Sequence, residues 1–165
     1  MNQYYWRNKQ KVEIKRIPGA FGVGLARLDL ASKVSEHFTK QGYLVLPTVK
    51  NRLIMSGADS TPEELRRNWL YNEIKYITFV YQDGEDRIFP TDELRIEATE
   101  LSALELERLS KLEQIAEVTK KEDYYECRLI CSDGDKGLQV YQTIYEVLKL
   151  PVAINLFRMR LLPKQ

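Results

Sequence analysis

The side chains with the greatest chemical potential in this chain are two cysteines and one histidine. Cys127 and Cys131 lie in the segment YYECRLIC, whose alternation predicts a strand with both thiols on one face. At ~3.3 Å per residue their Cα atoms would lie roughly 13 Å apart, whereas a disulfide needs a separation within about 7 Å. We therefore expect buried free thiols, and a zinc site would need more ligands than His37 can add.

Nucleophilic catalysis and phosphate binding find little support in the sequence. His37 is the only histidine, and no nucleophile-elbow motif accompanies it, so we expect it at the surface or at the boundary of the core. Gly22 and Gly24 are spaced like part of a phosphate loop, but the third glycine is absent and the alternation of FGVGLAR continues through them. We predict a strand with one nearly bare face there, and no catalytic, cofactor or metal site.

Composition limits the classes of partner. The chain has 165 residues, 44% of them hydrophobic, with 25 Lys and Arg against 24 Asp and Glu. This balance creates no overall field toward nucleic acid or an anionic membrane. The amino-terminal segment MNQYYWRNKQKVEIKR lacks the apolar core of a secretory signal, and no run approaches about 18 apolar residues. We expect a cytoplasmic protein, unless the chain is a fragment of a secreted precursor.

The elements that must position these residues follow one order in the first half of the chain. The pattern predicts strand, helix, strand, strand, helix and strand over residues 21–27, 31–41, 43–49, 52–57, 62–74 and 76–81. The second helix has the clearest start, since Ser60 and Thr61 precede Pro62 and two acidic residues. Arg66 and Arg67 are expected on its solvated side.

After the polar turn 82–86 the same order recurs about 71–75 residues later. The second half is predicted as a strand at 94–97, a helix at 102–118, two strands within 117–132, a helix at 138–150 and a strand with a tail at 152–162. We therefore predict an α+β protein of two tandem ferredoxin-like (βαββαβ) units, with antiparallel sheets and the helices on one face. The first unit, with its leader, is placed at 1–89 and the second at 90–165.

Alternation assigns the side chains of the second unit to two faces of its sheet. The side chains predicted to face the helices are Leu94, Ile96, Cys127, Leu129, Cys131, Val152, Ile154 and Leu156. Those predicted on the free face are Arg95, Glu97, Tyr124, Glu126, Arg128, Asn155 and Phe157. A free face that mixes aromatic and charged groups is suited to docking.

Two segments carry a resemblance to a known family. They are ITFVYQDGEDRIFPTDELRIEA and LQVYQTIYEVLKLPVAINLFRMRLL. With Val80-Tyr81, Thr91-Asp92-Glu93 and Pro151–Asn155, they resemble the amino-terminal prodomain of subtilisin-type serine proteases, in particular the fervidolysin-like prodomain. The opening YYWRNKQKVEIK is similar to the leader of that family. The chain departs from the family at Ala153-Ile154-Asn155, where an acidic residue and a proline are usual.

The resemblance implies a non-catalytic, protein-binding module that inhibits, chaperones or recruits a subtilisin-like protease. Family prodomains press the open sheet face against the protease and run their tail into its substrate cleft, a mode that needs an extended, accessible segment. The implied partner-binding residues are Tyr124, Glu126, Arg128, Asn155, Phe157, Met159, Leu161 and Leu162.

Other interpretations stay open at this point. Residues 157–161 could simply end the last strand, with no role in a protease cleft. The module could instead bind single-stranded nucleic acid, with Tyr124 and Phe157 stacking on bases. A third possibility is a ligand-sensing ferredoxin-like domain that dimerises through its sheets.

Overall fold

The computed structural model describes residues 3–47, 51–67 and 74–160. Within these residues the chain is an α+β protein with four α-helices and nine antiparallel strands, which confirms the predicted class. The elements are β1 (Gln3–Arg7), β2 (Gln10–Leu25), α1 (Ala31–Lys40), β3 (Leu44–Pro47), β4 (Arg52–Ser56), α2 (Pro62–Arg67), β5 (Ile74–Asp83), β6 (Asp86–Ile96), α3 (Ala103–Ser110), β7 (Ile115–Lys120), β8 (Tyr125–Leu129), α4 (Lys136–Glu146) and β9 (Val152–Arg160).

The strands form one continuous sheet where the sequence predicted two. Their order is β3-β4-β2-β5-β6-β8-β7, with β1 added to β2 and β9 added to β6. The sheets join because β6 begins at Asp86, earlier than predicted, and its first three residues pair with the last three of β5. The boundary placed between residues 89 and 90 therefore falls inside a strand.

The two halves of the sheet repeat one pairing order. After β1, the element order is β2-α1-β3-β4-α2-β5 and then β6-α3-β7-β8-α4-β9. In each half the first strand lies between the third and the fourth, and the third pairs with the second. The described residues thus place β5-β2-β4-β3 and β9-β6-β8-β7 in the same arrangement.

Apolar side chains pack on both faces of the sheet. One cluster lies under α1 and α2 and includes Phe21, Val34 and Phe38, and a larger one lies under α3 and α4. On the face without helices, Phe89 packs with Ala20, Ile54, Tyr76 and Val80. A Cβ at Gly22 would meet the ring of Phe89, and one at Gly24 would meet the ring of Tyr76. The bare strand face predicted at these glycines is confirmed.

Several element boundaries differ from the prediction because local patterns continue past the real ends. The third helix ends at Ser110, whereas Ile115, which was expected within it, belongs to β7 and pairs with Leu129. Its start is a capping box in which Ser102 accepts from the Glu105 N–H at 3.1 Å. The second helix begins at Pro62 as predicted, with Thr61 accepting from the Glu64 N–H at 3.2 Å.

The remaining differences lie at strand ends and outside the described residues. Ile74, predicted to end the second helix, begins β5, and the residues between, 68–73, are not described. The turn predicted at Lys50-Asn51 falls partly on 48–50, which are also outside the described residues. The aromatic segment Tyr4-Tyr5-Trp6 forms β1, a strand that the sequence did not predict.

Candidate functional site

The helix-free surface of the second half of the sheet is the strongest candidate site, and we call it the open face. It is formed by β6, β8 and β9, and Arg95 lies opposite both Glu126 and Ala153 in the strand ladders. At its centre is a shallow depression of about 290 Å³. The depression is lined by Glu93, Leu94, Arg95, Tyr124, Glu126, Ala153, Ile154 and Asn155.

The alternation correctly separates this face from the one that packs under the helices. Leu94, Ile96, Cys127, Leu129 and Val152 are all buried in the cluster beneath α3 and α4. Two further side chains predicted there, Ile154 and Leu156, pack against it while partly exposed. The side chains of the open face are therefore held by strands whose other side is anchored in the core.

Contacts across the open face are exposed and weak. The Arg95 guanidinium lies 3.6 Å from the centroid of the Tyr124 ring, and its Nε lies 3.6 Å from a Glu97 oxygen. Arg128 lies 3.8 Å from a Glu117 oxygen, with both side chains about half exposed. Pairs of this kind contribute about 0–1 kcal/mol each. The face is thus available for new contacts at small cost.

The charged side chains that pair across the open face are balanced. Glu93 lies opposite Arg128, and Glu126 lies opposite Arg95, so these two pairs carry no net charge. A surface that binds nucleic acid needs an excess of positive charge to neutralise phosphates. The balance of charge argues against the nucleic-acid alternative.

The remaining predicted site residues lie elsewhere. Phe157 and Met159 are partly buried against the cluster of Phe89, and the Phe157 and Phe89 rings stack with centroids 4.9 Å apart. Part of their surface is therefore used within the chain. Leu161 and Leu162 lie outside the described residues.

A polar network at the end of β9 was not predicted from the sequence. The Asp83 carboxylate accepts from the Tyr5 hydroxyl at 2.6 Å, from Arg7 at 2.6 Å and from Arg158 at 2.8 Å. Arg158 also donates to Asp86 at 2.7 Å. Burial alone would raise the pKa of Asp83, but the hydrogen bonds from Tyr5 and Arg158 outweigh it and lower that pKa. The network ties the end of β9 to β1.

A second unpredicted contact joins the two halves. Arg66 was expected on a solvated helix face, but its Nε donates to Asp133 at 2.7 Å and its Nη2 donates to the same carboxylate at 3.0 Å. Asp133 also accepts from the Ile77 N–H at 2.8 Å. The next residue, Gly134, forms a bridge with Thr78 in β5. The expectation that Arg66 faces solvent is therefore wrong. Its partner lies 67 residues away in the sequence, so no local pattern indicates this contact.

The cysteines and the histidine form no reactive group. Cys127 and Cys131 are free thiols, as predicted, but only Cys127 is buried and Cys131 lies beyond the end of β8. Burial raises the pKa of Cys127 to about 11. His37 lies half-buried on α1, where burial and then Lys40 lower its pKa. Among the described residues, no group of three or more His, Cys, Asp or Glu side chains could hold a metal ion.

The fold and this face define the chain as an α+β protein with an open antiparallel sheet surface. Comparison with protein-family models, curated proteins and solved structures found no match. In the part of the chain that the structure describes, no helix is long and apolar enough to cross a membrane. The function must therefore be argued from the face itself.

Proposed function

We propose that this chain is a non-catalytic, protein-binding module built from two tandem ferredoxin-like units. The repeated β-α-β-β-α-β order and the identical pairing order of the two halves support this assignment. In such a unit the helices cover one face of the sheet, so the other face remains for a partner.

The observation that carries the proposal is the difference between the two helix-free faces. In the first half, Phe89 fills the space above Gly22 and is itself covered by Phe157. In the second half, the equivalent surface around Arg95, Tyr124 and Asn155 has no such cover within the described residues. A partner protein would supply that missing layer, with aromatic and arginine groups of the kind enriched at interfaces.

The first partner to test is a subtilisin-type serine protease, in keeping with the resemblance of the chain to the prodomains of that family. In such a complex the open face would dock on the protease, and the chain would inhibit, chaperone or recruit it. The residues that follow β9 directly, Leu161 and Leu162, are the proposed tail anchors, and their role rests on the sequence alone.

The experiment measures turnover of a peptide substrate by a panel of purified subtilisin-type proteases, with and without the full chain. We expect slowed turnover, relieved by the face variants Arg128→Glu and Asn155→Arg. Glu113→Gln is the matched control, because this exposed side chain precedes β7 and does not line the depression. If no protease binds the chain, or if the face variants act like the control, the proposed function is wrong.

A further inference from the structure

We propose that the edge of β9 that faces away from β6, here called the β9 edge, binds an extended segment of a partner protein. The segment adds to the sheet as one further antiparallel strand and is recognised through its backbone. This surface is distinct from the open face, so the inference goes beyond the proposed function and does not depend on it. A second copy of the chain is the other occupant that the test distinguishes.

The first half of the sheet shows what covers the corresponding edge of β5. This strand pairs with β2 on one side and, through its last three residues, with the start of β6 on the other. Further along that second side, the Gly134 N–H donates to the Ile77 carbonyl at 2.8 Å, and the Phe79 N–H donates to the Gly134 carbonyl at 3.2 Å. Backbone groups of the second half therefore pair with β5 along this side.

β9 is the equivalent of β5 in the second half. Tyr76 of β5 lies opposite Gly24, and Ala153 of β9 lies opposite Arg95. Gly24 and Arg95 are equivalent because each is the second-last residue of the first strand in its half. Among the described residues, β9 pairs with β6 and with no other strand. The side of β9 that corresponds to the covered side of β5 is therefore open.

Alternate residues of β9 direct their backbone groups to this edge. The Pro151 carbonyl accepts from the Glu97 N–H at 2.6 Å, and the Asn155 carbonyl accepts from the Thr91 hydroxyl at 2.9 Å, so both carbonyls point toward β6. Neighbouring residues of a strand direct their backbone groups to opposite sides. The residues whose backbone groups lie on the β9 edge are therefore Ile154, Leu156, Arg158 and Arg160.

Side chains along the β9 edge are less covered than their counterparts in β5. Ile77 and Ile154 occupy equivalent places, one residue after Tyr76 and Ala153. Ile77 is 0% exposed, whereas Ile154 and Leu156 pack against the core while partly exposed. An added strand with an apolar side chain beside Leu156 would remove this surface from water, which favours binding.

The other free edges of the described sheet carry features that discourage pairing. β3 has four residues and ends in Pro47, which has no N–H, and β1 has only five residues. The ladder of β7 and β8 has a register shift after Ile115. Short strands, prolines and bulges are the usual protections of sheet edges. β9 has nine residues without a proline, and the extra residues at the register shift of its ladder belong to β6.

The charges at the end of β9 favour a different protein over a second copy. A copy that paired its own last three strand residues here would place Arg158 of each copy opposite Arg160 of the other. Like charges directly opposite each other destabilise a strand pair. Arg158 donates to Asp83 at 2.8 Å and to Asp86 at 2.7 Å, so it cannot turn away without losing these bonds.

The test titrates the isotopically labelled full chain with a hexapeptide of alternating valine and threonine and follows its backbone amide NMR signals. In this probe alternate residues are N-methylated, which leaves one edge able to pair and prevents self-association. The control peptide is N-methylated at every residue, so it has the same side chains without backbone N–H groups. We expect the probe to shift the amide signals of Ile154, Leu156 and Arg158 and to slow their hydrogen exchange.

The control peptide should leave these signals and exchange rates unchanged. Equal effects of the two peptides, no effect of the probe, or effects confined to β3 or β7 would overturn the inference.

Proline variants separate the β9 edge from the other edges. Leu156→Pro removes an N–H that points away from β6, so it keeps the ladder and blocks the edge. It should weaken binding of the probe about fivefold, the value of one hydrogen bond. Lys120→Pro is the matched control on the free edge of β7, because the Lys121 N–H donates to the Tyr124 carbonyl and that of Lys120 therefore points away from β8. Equal weakening by both variants would contradict the inference. If the amide spectrum shows that Leu156→Pro is unfolded, Arg160→Pro replaces it.

Two further results separate this inference from its alternatives. If sedimentation velocity shows a dimer that Leu156→Pro converts to a monomer, the occupant is a second copy and the proposed partner is wrong. If Arg128→Glu on the open face weakens binding of the probe as much as Leu156→Pro does, the edge is not the binding surface. A chain that binds the probe but no protease supports this inference and refutes the proposed function, and the reverse result refutes this inference alone.

Discussion

The contact between Gly22 and Phe89 offers the sharpest test of how the two halves of the sheet meet. A Cβ added at Gly22 would lie 2.3 Å from Cγ of Phe89, whereas ordinary contacts begin near 3.4 Å. The ring has little room to retreat, because Phe89 is 0% exposed and its centroid lies 4.9 Å from that of Phe157. Gly22→Ala therefore forces the Phe89 ring or the backbone of β2 to shift.

The magnitude follows from this geometry. Overpacking a core by one methyl group costs about 1–3 kcal/mol, and an immobile ring places Gly22→Ala at about 2–3 kcal/mol. At about 2–4 °C per kcal/mol for a chain of this size, Tm falls by roughly 5–10 °C. Phe89→Ala alone should cost about 3–5 kcal/mol. In the Phe89→Ala background the added Cβ of Gly22→Ala meets no ring, so Gly22→Ala should be neutral or should stabilise the chain by about 0.5–1 kcal/mol.

Urea unfolding followed by circular dichroism, on the wild type, both single variants and the double variant, measures the coupling. We expect an interaction free energy of about 2–4 kcal/mol in the double-mutant cycle. Gly137→Ala is the control, because its added Cβ would meet no atom closer than 3.4 Å, and it should change stability by about 1 kcal/mol or less. If Phe89→Ala unfolds the chain, Phe89→Leu replaces it. Additive effects at the two positions would refute the reasoning.

Three further predictions test other contacts. Asp133→Ala removes the hydrogen bonds to Arg66 and to the Ile77 N–H. Urea unfolding should show that the free energy of unfolding falls by about 2 kcal/mol, which is below the full value of a buried pair because Arg66 is partly exposed. An unchanged free energy of unfolding would contradict the role of this contact. Because folding lowers the pKa of Asp83, its stabilisation is complete above the unfolded value of about 3.9 and is lost as pH falls through the lower folded value. Asp83→Asn should flatten the stability curve in that acidic range, and an unchanged acid limb would count against the network. In the folded chain iodoacetamide should label half-buried Cys131 before buried Cys127, whose pKa is raised to about 11; equal labelling by peptide mass spectrometry would contradict the burial.

Features encoded by neighbouring residues could be predicted from the sequence. Alternation placed Leu94, Cys127 and Val152 under the helices and Arg95 and Glu126 on the other face, because the side-chain period of a strand depends only on the strand itself. The start of α2 was predicted because its cap, its proline and its acidic residues lie within one turn. The two bare glycine positions in β2 were predicted for the same reason.

Features that depend on distant partners could not be predicted. The residue that holds Arg66 lies 67 positions away, and the Tyr5 hydroxyl reaches Asp83 across 78 positions. No local pattern marks either contact. The helical spacing of Leu112 and Ile115 predicts a third helix that reaches residue 118, although Ile115 belongs to β7 and pairs with Leu129. Tertiary pairing overrides a local pattern of this kind.

The two helix-free faces carry different side chains at equivalent positions of the two halves. Gly24 lies in the first strand of its half, opposite Arg52 on one side and Tyr76 on the other. Arg95 holds the same place in the second half, opposite Glu126 and Ala153. The first half thus combines a bare backbone with a large ring, and the second half combines a long cation with a small side chain.

This difference in side chains determines which of the two helix-free faces the chain can bury by itself. The ring of Phe89 lies directly on the backbone at Gly22, and the ring of Tyr76 lies on the backbone at Gly24. Burying Phe89 there gains apolar contact without desolvating a charged side chain. At the equivalent positions Glu93 and Arg95, an apolar ring would have to desolvate charged groups without pairing them, which costs several kcal/mol. Water or a layer that brings its own charges can cover the second face. A partner that binds there must therefore bring polar or charged groups that pair with both the carboxylates and the guanidiniums of this face.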